Sequence, residues 1–178
     1  AGEWFEVQNV ASRPLNLVNW RVTDYNGDTF TISGDLVLRP GDRAVFGVDP
    51  EPGRNGGAPV TYSYERDSFD LANSTDAIGF EVDGNTVTRL EYDVKWAVEP
   101  GASLSLDPLF VAKSGATVGK YWCASTSAMS VGDLGTPGGV NDNCTSVDHD
   151  GDGISIDDGD CDDGVDTIYP GAPESWNG

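Results

Sequence analysis

The chain has 178 residues, with 30 Asp and Glu against 10 Lys and Arg, a formal charge of −20, one His and three Cys. That length suits one medium domain, or a domain with a small appendage, and is enough to bury a real core. So large a negative charge excludes nucleic-acid binding through phosphates and adhesion to an anionic membrane, since both need a basic face. With no apolar run of about 18 residues, no transmembrane helix or membrane insertion is expected. The opening Ala1-Gly2-Glu3-Trp4 reads as mature-type sequence rather than as a signal peptide.

The 23 Gly and 10 Pro make the chain turn-rich, which favours short strands over long helices. Trp4-Phe5-Glu6-Val7 is the first apolar run. A second spans residues 15–22, with Leu15, Leu17, Trp20 and Val22 directed inward. Asn26-Gly27 is a hairpin signal, because both residues tolerate positive φ. Brief strands are expected at residues 30–32 and 36–38. Arg39-Pro40-Gly41-Asp42 is a turn leading into a strand at 43–48, and 49–59 is a Pro/Gly loop. Later strands are expected at 77–82, at 86–92 across an Asp83-Gly84-Asn85 turn, and at 104–106. Strands at roughly ten-residue spacing imply an all-β sandwich or barrel. No segment has the pattern of an amphipathic helix.

Gly2-Glu3-Trp4-Phe5-Glu6-Val7-Gln8-Asn9, Leu17-Val18-Asn19-Trp20, Leu38-Arg39-Pro40-Gly41-Asp42 and Gly135-Thr136-Pro137-Gly138 together resemble a bacterial lamin tail domain, over residues 1–143. The resemblance implies an Ig-like β-sandwich and carries over no catalytic residue. Independently of it, Trp4 and Trp20 have the bulk to anchor a core between two sheets. Members of that family usually carry an apolar strand before the Gly-Glu-Trp segment. Either the edge left here is repaired locally, or a second copy or another partner supplies a strand by β-augmentation.

Residues 144–178 differ in kind. From Asn141 onward there are eleven carboxylates and no Lys or Arg, which leaves the first 140 residues at a net −9. Eight Asp crowd into residues 148–163, and such a run repels itself unless a cation neutralises it. Ca2+ suits it, taking six to eight oxygens in irregular geometry. In Asp148-His149-Asp150-Gly151-Asp152-Gly153-Ile154, alternate Asp residues offer three carboxylates to one centre. Gly153 permits the turn that brings the Ile154 carbonyl inward. The twelfth position from Asp148 is Gly159 and not Glu, so this is no ordinary EF-hand. Asp157 and Asp160 are the candidates to close the shell, and Asp158, Asp160, Asp162 and Asp163 could hold a second ion. Zn2+ is disfavoured, because His149 and Cys161 are the only soft groups in an oxygen-rich set, and His149 is expected to be an exposed loop residue. Together with Ile168-Tyr169-Pro170-Gly171-Ala172-Pro173-Glu174, the segment resembles thrombospondin type 3 calcium repeats. It is closer still to a bacterial metal-binding motif of surface and secreted proteins; both resemblances imply calcium.

Three Cys allow three single pairings. Cys123 with Cys144 is favoured, leaving Cys161 free. An oxidised pair and a low-affinity calcium segment point to a secreted or cell-surface protein. Catalysis is not expected. The sole His lies inside the acidic run, there is no Gly-x-Ser-x-Gly elbow, and Glu3 and Glu6 are strand residues expected to face solvent. Tyr62, Tyr64 and Trp96 are expected to serve packing rather than a glycan platform. The sequence thus implies a non-catalytic, calcium-stabilised extracellular structural or interaction protein, as a homo-oligomer, a strand-exchanging assembly or a filament subunit. The alternative is a glycan- or protein-binding module appended to a secreted enzyme.

Overall fold

The computed structural model describes residues 2–96, 99–111, 114–130 and 132–173. The described residues form eleven strands: β1 (Trp4–Gln8), β2 (Leu15–Asn16), β3 (Arg21–Thr23), β4 (Thr29–Thr31), β5 (Val37–Leu38), β6 (Arg43–Gly47), β7 (Tyr62–Ser63), β8 (Asp76–Val82), β9 (Asn85–Tyr92), β10 (Leu104–Leu106) and β11 (Trp122–Ala124). The only helical pieces among the described residues are single 3-10 turns. The protein is all-β.

Sheet order follows β1-β6-β7 in one layer and β4-β3-β8-β9 in the other, with small ribbons β2-β5 and β10-β11. The layers meet over an aromatic cluster, the arrangement of a β-sandwich. Phe5 and Phe46 are cross-strand partners on β1 and β6, and their rings stack at 5.0 Å. Phe30 stacks on Tyr64 at 4.9 Å, and Phe69 stands edge-on to both. Val22, at the centre of β3, is fully buried between its partners Phe30 and Phe80.

Phe and Tyr, not Trp, therefore anchor the core. Trp20 packs against its margin and Trp4 stays half-exposed. A buried indole N–H would demand a hydrogen-bond partner, as the Tyr64 hydroxyl finds in Glu3. Tyr62 packs on the core edge and Trp96 against Trp122.

The single run expected over residues 15–22 is two strands in two sheets. Asn19 takes a left-handed φ of 65°, and the Trp20 amide donates to the Leu17 carbonyl, so the chain turns there. The Asp83-Gly84 turn matches expectation, with both residues at positive φ between paired Val82 and Asn85. The Asn26-Gly27 hairpin is wider than a two-residue turn. Asp24 Oδ1 accepts the amides of Gly27 and Asp28, and only Gly27 of the pair is left-handed. Strands β7 and β11 carry no signal strong enough to stand out in the sequence. β7 has two residues, and it joins β6 in parallel through long-range pairing.

Glu3 and Glu6 do not face solvent: their side chains are 12% and 15% exposed. Glu3 accepts from the Tyr64 hydroxyl and the Leu71 amide, and Glu6 pairs with Arg43 and accepts from the Gly138 amide. Burial pushes both carboxyls above their ordinary range, more than these partners lower them. They serve as buried ties between β1 and distant loops.

Candidate metal centre

The route from the sandwich to the acidic segment runs through the β10-β11 ribbon. Asp142 ends the body by accepting from the Ser125 and Ser127 hydroxyls and from the Thr126 and Ser127 amides. Two residues on, Cys144 is fully buried and disulfide-bonded to Cys123 of β11, across 21 residues of sequence. Its amide donates to Asp107, a fully buried carboxylate just past β10. Cys161 is free and exposed.

Beyond this anchor the chain holds its shape with its own aspartates. Asp148 accepts the amides of Gly151 and Gly153 on its two oxygens. Asp150 Oδ1 accepts the Asp152 amide, Asp152 Oδ1 the Ile154 amide, and Asp160 Oδ1 the Asp162 amide. The same local device, a carboxylate bonding the backbone two residues on, recurs three times. Gly151, Gly153 and Gly159 all lie at positive φ, which makes the tight reversals possible. Ser155 caps a 3-10 turn at Ile156–Asp158 and is itself buried. Its carbonyl accepts the Asp160 amide, which returns Asp160 to the loop.

Two groups of carboxylates result. Asp148, Asp150 and Asp163 form one, and Asp150, Asp152 and Asp160 the other; within each, one oxygen from every residue lies within 4.8 Å of the others. Asp150 belongs to both. The groups differ in what their oxygens already do. Both oxygens of Asp148 accept backbone amides, and both of Asp163 are engaged by His149. In the other group the Oδ2 atoms of Asp150, Asp152 and Asp160 are shut off from solvent and have no hydrogen-bond partner, and Asp160 is only 7% exposed.

Three partnerless carboxylate oxygens withdrawn from water, on residues whose carboxylates are gathered together, are costly. The Asp150 carboxyl is pushed up by burial and by the negative charges of Asp152, Asp160 and Asp148. A cation removes both penalties. The donors are oxygens alone, with no thiol or imidazole in either group, which suits a hard cation over a soft one.

Of the residues singled out in the sequence, Asp157, Asp158 and Asp162 are exposed and stand outside both groups, and Asp158 is turned to the Ser155 hydroxyl. The expected second set of Asp158, Asp160, Asp162 and Asp163 is not brought together. Instead Asp160 and Asp163 fall in different groups, linked by Asp150. Ile154 donates its amide to Asp152 Oδ1. Glu174 lies outside the described residues.

His149 is not an exposed loop residue. Its side chain is 19% exposed, with Nδ1 at 2.5 Å from Asp163 Oδ2 and Nε2 at 3.0 Å from Asp107 Oδ2. Burial pulls its pKa down, but the bonds to Asp163 and Asp107 outweigh that and leave it raised. The sequence shows this residue as the single base of an acidic segment. It gives no sign of the partner Asp107, which lies 42 residues away in the chain.

No helix among the described residues is long and apolar enough to cross a membrane. The disulfide points to an oxidising setting. No family model matches the chain, and no curated protein matches it either.

Proposed function

We propose that this protein is a non-catalytic extracellular or cell-surface module of the lamin-tail type, in which Ca2+ stabilises an acidic segment docked on an Ig-like β-sandwich. The observation that carries this reading is the trio of buried, unpartnered oxygens on Asp150, Asp152 and Asp160. Binding to the folded form alone stabilises it by mass action, so calcium converts a self-repelling strand into a stiff connector. Calorimetric titration of the chelator-stripped chain with CaCl2, followed by circular dichroism, tests it. Heat with a stoichiometry of one or more and ordering of the segment are expected; no heat at millimolar calcium would remove the proposal.

A second reading, a subunit of a homo-oligomer or strand-exchanging assembly, is favoured by the edge of the first sheet. Strand β1 pairs only with β6 among the described residues. Residues of β1 also line a groove of about 1580 Å3 that includes Val7, Leu90 and Trp122. Sedimentation of the purified chain distinguishes a monomer from such an assembly. A glycan or a different protein as the partner would show as a monomer that binds on an array.

A further inference from the structure

The acidic segment contains no Lys or Arg, so His149 is the one side chain from Asn141 onward that can carry positive charge. It sits between two members of the carboxylate groups, Asp148 and Asp150, and its ring reaches a carboxylate on either side. One ring nitrogen stands 2.5 Å from Asp163 Oδ2 and the other 3.0 Å from Asp107 Oδ2, so a single rigid ring spans the two carboxylates.

The two carboxylates belong to different parts of the molecule. Asp163 closes the loop from its far end and also accepts the His149 amide. Asp107 belongs to the body. Its Oδ1 accepts the Leu109 amide, its Oδ2 the Cys144 amide, and its own amide donates to the Tyr121 carbonyl just before β11. The imidazole thus bridges the loop that gathers the oxygens to Asp107 beside the β10-β11 ribbon, to which the Cys123–Cys144 disulfide already ties the base of the segment.

We propose that His149 is a positioning residue that couples cation binding in the aspartate loop to the order of the β10-β11 ribbon, through the chain Asp163–His149–Asp107. This rests on the metal-binding reading above. Holding Asp163 against His149, and His149 against Asp107 of the body, sets the two ends of the loop before an ion arrives, so less ordering accompanies binding. By linkage, the factor by which an ordered ribbon raises affinity for the ion is the factor by which the bound ion favours the ordered ribbon. Outer-shell partners of metal ligands typically contribute about 10–100-fold in affinity, the range expected here.

The test uses the full chain, stripped with chelator and titrated with CaCl2 alone, with amide hydrogen exchange of residues 104–106 and 122–124 recorded with and without the ion. In the wild type, calcium should slow exchange in the ribbon. His149→Ala should bind calcium about 10–100-fold more weakly, and its ribbon should no longer respond at saturation. Asp107→Asn, which leaves the loop sequence intact, should lose the ribbon response as well, and it serves if His149→Ala does not fold. Wild-type affinity in both variants, or a ribbon in the wild type indifferent to bound calcium, would overturn the coupling while leaving the metal site standing. Absence of calcium heat in the wild type would overturn the metal reading itself, and the coupling with it.

Discussion

Between Trp4 and Tyr92 the chain is ordered by burial: Phe5, Val22, Phe46, Phe69 and Phe80 are withdrawn from water, and long-range strand pairing follows from that collapse. Between Cys144 and Asp163 the order comes from short-range bonds, with aspartate oxygens capping amides two to five residues on and only Cys144, Val147, Ser155 and Asp160 buried. Apolar burial is indifferent to ions, whereas a loop of like charges gains or loses stability with its counter-charge. One molecule thus joins a region held by apolar burial to a region of crowded carboxylates that could hold a metal ion, with a disulfide and one imidazole at the seam.

The comparison is broken most severely from the body. Phe46→Ala removes a fully buried ring that stacks on Phe5, and should destabilise the sandwich by about 3–5 kcal/mol in urea unfolding, with or without calcium. Next comes the seam. Cys144→Ser opens a bridge spanning 21 residues and should cost about 3 kcal/mol, read as a lower denaturation midpoint that reductant reproduces in the wild type.

Asp160→Asn sharpens the contrast, because its sign depends on the ion. With calcium present it should weaken binding about tenfold, near 1.4 kcal/mol. With chelator present, removing one buried charge relieves repulsion, so the thermal midpoint should hold or rise. A midpoint that falls equally in both buffers would contradict a metal role for this carboxylate.

Acid should loosen the seam through Asp142. Burial raises its carboxyl, but hydrogen bonds from the Ser127 and Ser125 hydroxyls and the Ser127 and Thr126 amides outweigh this and hold it at about 2. The unfolded value is about 3.9, so the contribution is complete above that pH and is lost as pH falls through about 2. Asp142→Asn should flatten that limb of the pH–stability curve. Smallest of all, Val140→Thr changes a residue that is 66% exposed and should stay within about 0.5 kcal/mol.

How much was legible in the sequence varies with the range of the interaction. The Asp83-Gly84 turn, the strands around it and the spacing of the aspartates are local patterns, and local rules read them. The break at Asn19 was not legible, since residues 15–22 alternate well enough for one strand and only their assignment to two sheets splits them. Glu3 and Glu6 look like ordinary solvent-facing strand positions until Tyr64, Leu71, Arg43 and Gly138 arrive from elsewhere to satisfy them. In the acidic loop the residue types were clear, but which aspartates meet was not: the backbone turns at Gly151, Gly153 and Gly159 bring Asp160 to Asp150 and Asp152 and leave Asp157 outside.

By itself, the order of residues determined that the chain is built of short strands, that its charge is concentrated at one end, and that oxygens are the only abundant donors there. Those properties depend on composition and near-neighbour spacing. Tertiary structure alone decided that phenylalanines fill the centre, that Asp150 belongs to two groups, and that His149 reaches Asp107. Each of these joins groups far apart in the chain or sorts near neighbours by burial, and burial is a property of the folded whole.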